Sequence, residues 1–325
     1  MKSKARRPFV IVILGIIAVA GIIYYYYYDY IRFTALRPHL EIVDRFGIKE
    51  LNPTKKGGEE WFMNMDDPSN DPRAGRGEGP PTTFVRRNDD GSWKVQSNEV
   101  RYGVLTSSGY RPELITTLDQ SALAAKGFMQ SRNDWKNIEM TGYFKVNSFT
   151  DSTKNGAAHI ELVARGGRST NDLTYIYGLP EQCEGTTYHS NTYKTGRVKF
   201  EKDLMYIYGY TSDSQDPQLE HATNILDGRW VGIKAIFFNL PDGSVKLEQW
   251  LDDSTDNINS PGNHWHRVLE YTDKGNWGGG HNNCGGTDTT IISWGGPIAI
   301  FRWDNIDDLD VKHFSVREIQ PPAKI

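Results

Sequence analysis

Cysteine is nearly absent. The 325 residues hold two, Cys183 and Cys284. Neither sits in a CxxC pair or beside an HxxxH spacing, which excludes a structural zinc site as the organiser of the fold. No Gly-rich loop leads into Lys-Ser or Lys-Thr, so Gly278, Gly279 and Gly280 form no phosphate cradle. The spacing of an EF-hand loop is also missing. Amphipathic helical stretches are scarce, and no internal repeat or mid-chain linker breaks the chain. Basic charge is short too. The net charge is −4, and setting aside the +4 of Lys2, Lys4, Arg6 and Arg7 leaves −8 on the remainder. A chain this acidic excludes nucleic acid as a partner.

One long uncharged run is present, FVIVILGIIAVAGIIYYYYY over residues 9–28. Its length suits a bilayer span. The basic tail of residues 1–8 precedes it, so the positive-inside rule predicts a single-pass signal anchor in the cell membrane, with everything after Asp29 outside the cytoplasm. The tyrosines at its end suit the outer interface. A cleaved signal peptide is the alternative, because Ala18-Val19-Ala20 follows a short apolar core; the apolar run continues past Ala20, which favours the anchor. In an oxidising compartment Cys183 and Cys284 read as a disulfide, closing a loop that gains roughly 4–5 kcal/mol in the chain-entropy model. Two unpaired buried thiols are the alternative.

Beyond a stalk over residues 29–56, short β-runs separated by Gly, Asp and Pro turns continue to residue 320, with a tail at 321–325. About a dozen strands are expected. The clearest hairpin has strands on either side of Leu240-Pro241-Asp242-Gly243, where Pro presets φ and Gly takes the positive-φ corner. Period-2 alternation puts Val231, Ile233, Ala235 and Phe237 on one face with Val245, Leu247 and Leu251. Lys234, Glu248 and Trp250 fall on the other, a polar and aromatic set that suits a sugar. Residues 138–149, 159–165, 196–202, 204–210 and 298–304 are further strands. The fold class is therefore all-β, an antiparallel jelly-roll β-sandwich preceded by a single N-terminal transmembrane helix.

The terminal phrases GGEEWFMN and FRWDNIDDLDVKHFSVREI, with the hairpin DGRWVGIKAIFFNLPDGSVKLEQWLDD, resemble the strands of the concanavalin A-like lectin and glucanase superfamily, which also includes laminin-G-like domains and alginate-lyase-type polysaccharide lyases. The likeness runs from about residue 57 to residue 319. It implies a sheet whose side chains meet a glycan. Alginate-type lyases carry an Arg-x-Glu-Leu-Arg strand, which HIELVAR (159–165) resembles with His159 in the leading place. They carry a Tyr-rich strand, which Tyr206-Ile207-Tyr208-Gly209-Tyr210 resembles with Tyr208 in place of Lys. Their Gln-x-His strand has no counterpart here, nor has the Glu-x-Asp-x-x-Glu motif of glucanases.

β-Elimination needs a carboxylate neutraliser, a base and an acid. The candidates are His159, Arg165, Tyr206 and Tyr208, with His189 in a loop beside Tyr188 and Tyr193 hanging over the same groove. Glu161, Lys199, Lys234, Glu248 and Trp250 are the expected ligand contacts. Asp304, Asp307, Asp308 and Asp310 are candidates for a structural calcium ion; no other cofactor is expected. The leading expectation is a membrane-anchored, extracytoplasmic glycan-binding domain. The alternatives are a lyase acting on a uronic-acid polymer and an adhesive or structural surface protein.

Overall fold

The computed structural model describes residues 41–75, 83–96, 99–111, 120–150, 158–166, 186–204, 215–253, 263–277 and 289–322. The N-terminal apolar run, both cysteines, Tyr206 and Tyr208 lie outside them. Among the described residues no helix is long and apolar enough to cross a membrane. Of two compact units, Met1–Val43 and Asp44–Ile325, the described strands all belong to the second.

Two antiparallel sheets make up the sandwich. The larger runs β12 (His266–Asp273), β11 (Val245–Asp252), β10 (Trp230–Asn239), β5 (Ile138–Phe149), β14 (Ile306–Glu318), β3 (Trp93–Val95) and β2 (Phe84–Arg87), with β1 (Glu60–Phe62) also paired to β14. The smaller runs β4 (Glu99–Leu105), β13 (Ile298–Asp304), β6 (His159–Gly166), β7 (Thr186–Tyr193), β8 (Val198–Leu204) and β9 (Gln218–Leu219). A single seven-residue helix, α1 (Gln120–Lys126), is the described helical exception to the β pattern apart from one 3-10 turn.

The hairpin forms as its turn residues dictate. Asn239 pairs Val245, the Leu240 N–H donates to Ser244 O at 2.8 Å, and Gly243 takes φ +87°. The core face is the one that alternation assigns: Val231, Ile233, Ala235, Phe237, Val245, Leu247 and Leu251 are buried in one cluster with Ile160, Leu162 and Ala164 of the opposite sheet. Aromatic rings fasten the sheets together. Phe301 of β13 stacks on Phe314 of β14 at 4.3 Å. Polar groups between the sheets are paired, as burial demands: Tyr188 Oη donates to Asp273 Oδ2 at 2.7 Å, and Lys202 Nζ lies 3.0 Å from the same oxygen.

Part of the outward face of the larger sheet is covered. Its residues Glu139, Lys234 and Arg317 form a buried ion cluster, with Lys234 Nζ at 2.7 Å and an Arg317 nitrogen at 2.9 Å from Glu139 Oε1. The segment from Asp44 to Thr54, the end of the expected stalk, lies against it: the Leu51 and Asn52 N–H groups both donate to Glu139 Oε2 at 3.2 Å. Ile236, Phe238 and Ile319 are buried beside them, with Leu51, Leu240 and Trp250 packed on top.

Candidate functional site

The outward face of the smaller sheet is also polar; its central residues Glu161, Asn191 and Lys199 are buried, and Arg101, Arg302, His159 and Glu201 are partly exposed. Apolar residues of β4, β13, β6 and β8 alternate into the core, so Arg101, Arg302, Glu161 and Lys199 emerge on the other side, beside a small apolar cluster of Leu105, Val163, Ile298 and Ile300. Antiparallel register then aligns them. Arg101 pairs Arg302, Arg302 pairs Glu161, Glu161 pairs Asn191, Asn191 pairs Lys199, and Lys199 pairs Gln218. This is one polar row across all six strands. Beside it runs a second row in which Glu99 pairs Asp304, Asp304 pairs His159, and His159 pairs Tyr193.

The rows are knitted by charge. Arg302 lies 3.0 Å from Glu161 Oε2 and 2.7 Å from Asp304 Oδ2, and Arg101 lies 2.6 Å from Asp304 Oδ1. His159 Nε2 is 3.8 Å from Glu161 and 3.6 Å from Asp304, and its ring packs on Tyr193 with centroids 5.3 Å apart. The Arg197 guanidinium covers Tyr193 at 4.0 Å. Lys199 Nζ sits 2.5 Å from Glu201 and 3.3 Å from Asp216. Asn191 donates to Glu201 Oε2 at 2.8 Å.

Burial by itself would raise the pKa of Glu161. The Arg302 guanidinium, His189 and hydrogen bonds from both imidazoles outweigh it and hold the carboxyl well below the usual range. Glu161 is therefore a fixed anion that orients its neighbours and not a proton donor. Tyr193 is pushed the other way: burial, then Glu201, raises its hydroxyl, so it stays protonated.

The expected site residues separate. His159, Glu161, His189 and Lys199 do share this face. His189 is on strand β7 and not in a loop; it is fully buried between Glu161, on Nδ1, and Thr187 Oγ1, at 2.5 Å from Nε2. The residues taken for a loop are a strand because their Thr and Tyr alternate against β6 and β8. Arg165 is fully buried with φ +68°, donating to Ile292 O at 2.9 Å and Asn137 Oδ1 at 3.3 Å. Burial lowers its pKa to about 10. It braces loops and does not face a ligand.

Lys234, Glu248 and Trp250 belong to the other sheet, so a single groove holding them with His159 does not exist. Lys234 is consumed by Glu139. Trp250 donates to Glu248 Oε2 at 3.0 Å and packs on Ile236 and Phe238. Trp250→Ala is accordingly expected to cost about 1–3 kcal/mol of stability, as for a half-buried ring, and to leave retention on a polysaccharide column unchanged. A lost retention with intact stability would move the site to the larger sheet.

The four expected calcium ligands do not converge either. Asp304 is on β13, whereas Asp307, Asp308 and Asp310 are on β14 in the other sheet. Asp308 is held by Lys94 at 2.5 Å and Asp310 by Asn88 at 3.0 Å. The described groups that bring three metal-ligating atoms within 4.8 Å are His159, Glu161 and Asp304, and Glu161, His189 and Glu201. Their carboxylates already have Arg302, Arg101 and Lys199 as counter-ions, so a divalent cation would enter against like charge. Arg302, Asn191 and Tyr193 were not singled out from the sequence as contacts. Alternation in IAIFRWD carries the signal for Arg302, since Ala299, Phe301 and Trp303 are core.

No family model matches the sequence, and no curated protein matches it. Among solved structures the chain is similar to a protein of unknown function with a galectin-like fold from Bacillus subtilis, at 13% identity over 82% of this chain and 100% of that one, with a TM-score of 0.41. It is also similar to the basic winged bean lectin, at 8% identity over 79% and 96% of the two chains with a TM-score of 0.37. A third is the endo-beta-1,4-glucuronan lyase of the fungus Trichoderma reesei, at 9% identity, 82% and 93% coverage and a TM-score of 0.35. These are lectin-like and lyase structures, the groups that the sequence resemblance names. Similarity at this level assigns neither activity nor ligand.

Proposed function

We propose that this protein binds a polysaccharide along the outward face of its six-stranded sheet. The observation that carries this is the unbroken polar row Arg101, Arg302, Glu161, Asn191, Lys199 and Gln218, flanked by His159 and Tyr193. Sugar hydroxyls donate and accept, so they suit a row that alternates guanidinium, carboxylate, amide and ammonium groups already fixed by one another. Part of the opposite sheet's outward face is covered by Asp44–Thr54 and its ion cluster. The run at residues 9–28 supports tethering of this domain to the outer side of a membrane.

A second reading is β-elimination on a uronic-acid polymer. It is favoured by one grouping: His159 in contact with Tyr193, beside Arg302. Arg302 would neutralise the sugar carboxylate, His159 would take the α-proton, and protonated Tyr193 would give its proton to the glycosidic oxygen as its bond to the β-carbon breaks. Both readings are tested in one experiment, a panel of neutral and uronate polysaccharides scored for binding and for unsaturated uronate absorbance. Elimination predicts product that Tyr193→Phe lowers at least about a hundredfold, as for loss of a general acid, with binding kept. Binding without product across the panel leaves the binding reading and ends the second. Neither signal overturns both and favours an adhesive or structural role.

A further inference from the structure

A separate cleft of about 740 Å³ opens where the β7–β8 turn meets the loop before β10. Lys194 and Thr195 of the turn, His221, Thr223, Asn224 and Ile225 of the loop, and Asp253 at the end of β11 line it. Its size falls within the roughly 300–1,000 Å³ of small-molecule sites.

The walls are built rigidly. Gly196 takes φ +86°, and a Cβ there would lie 1.9 Å from Thr223 O, so only glycine lets the loop rest on the turn. Gly196 O accepts from the Ala222 and Thr223 N–H groups at 3.0 and 3.3 Å. Arg229 donates to Ile225 O, Thr223 Oγ1 and Asn224 O at 3.0, 2.6 and 2.7 Å, and Thr223 donates to Asp253 at 2.5 Å. The groups that hold the loop are thus spent on the loop. What faces the opening is another set: Lys194, poised 4.4 Å over the Phe149 ring, with His221 and Asn224, both exposed. Ile225 is 58% exposed.

Asp253, the carboxylate of the lining, is engaged by Thr223 on Oδ2 and lies 3.8 Å from His266 on Oδ1, so the remaining ammonium, amide, imidazole and apolar surface make a site for a ring with one apolar face and one anionic substituent. Lys194 directly follows Tyr193, so the cleft adjoins the end of the strand that carries Tyr193. We infer that this cleft is an accessory subsite that takes an acidic sugar unit of the bound polymer, with Lys194 on the carboxylate and Ile225 under the ring. The inference rests on the reading of the six-stranded sheet as the binding face.

The test uses the full chain in mild detergent, labelled at histidine, and follows the His221 imidazole by NMR during titration with sodium glucuronate and, separately, with glucose. Glucuronate is expected to move the His221 signal and glucose to leave it in place. Lys194→Ala should weaken the glucuronate response about tenfold, the worth of one charge-assisted hydrogen bond. The same variant should lower retention on a uronate polysaccharide column and leave retention on a neutral one unchanged. A His221 signal indifferent to glucuronate, or equally responsive in Lys194→Ala, overturns the cleft. If retention falls with Arg302→Ala and not with Lys194→Ala, the cleft is likewise excluded while the sheet face stands. Glucuronate binding at His221 with no polysaccharide retained overturns the sheet face and the accessory role together.

Discussion

Glu139→Gln is expected to lower the folding free energy by about 3–5 kcal/mol, the cost of removing one partner from a buried ion pair. The carboxylate is fully buried; it accepts from Lys234 Nζ at 2.7 Å and from the Leu51 and Asn52 N–H groups at 3.2 Å, and an Arg317 nitrogen lies 2.9 Å away as an ion pair. The amide leaves Lys234 without the carboxylate it contacts and leaves Arg317 to Glu50 at 2.9 Å. It also weakens the seam by which the segment from Asp44 to Thr54 covers part of the larger sheet. Denaturant unfolding should show a reduced midpoint at unchanged slope. A loss below about 1 kcal/mol would mean that water screens the cluster as it does a surface pair. Adding Lys234→Met should recover part of the loss, because the uncompensated charge is then removed.

The same residue sets a pH dependence. Burial raises the pKa of Glu139, but Lys234 and then Arg317 outweigh it, and the folded value lies below the ordinary 4.5. A depressed carboxyl stabilises the fold at every pH above its unfolded value. That stabilisation is lost as pH falls through the folded value. Wild-type stability should therefore drop on acidification below about pH 4.5, more steeply than that of Glu139→Gln. Parallel acid profiles would remove Glu139 as the group responsible.

Arg302→Ala is expected to weaken polysaccharide binding about a hundredfold, close to the 1.5–3 kcal/mol of a hydrogen bond from a charged group together with the disorder of its neighbours. Arg302 stands at the crossing of the two polar rows, 3.0 Å from Glu161 and 2.7 Å from Asp304. Without it Glu161 loses the charge that holds it ionised, and His159 loses the fixed anions against which it is placed. Retention on the column is the readout, with thermal unfolding measured alongside. Arg302→Lys should restore part of the affinity, since the charge returns but the planar fork does not. Equal falls in stability and retention for both variants would assign Arg302 to the fold alone. Trp250→Ala on the opposite sheet serves as the control that keeps its affinity.

Period-2 alternation and turn chemistry settled much of this protein in advance. They place the hairpin at Leu240–Gly243, the core faces of β10 and β11, and the bounds of β5 and β13, because those signals are local and each residue's side of the strand follows from its neighbours. That His159, Glu161 and Lys199 face away from the core was legible for the same reason. Tertiary structure decided which outward-facing residues are covered. Alternation says that Lys234, Glu248 and Trp250 point away from the core, but not that a segment nearly ninety residues earlier, at Leu51 and Asn52, folds over that face and binds Glu139. Register between strands distant in the chain is equally invisible locally. Arg302 and Glu161 are 141 positions apart, yet pairing of β13 with β6 makes them neighbours. The sequence by itself determined which residues face outward; long-range pairing and coverage, whose energies come from contacts that no short window contains, determined which of them form a site.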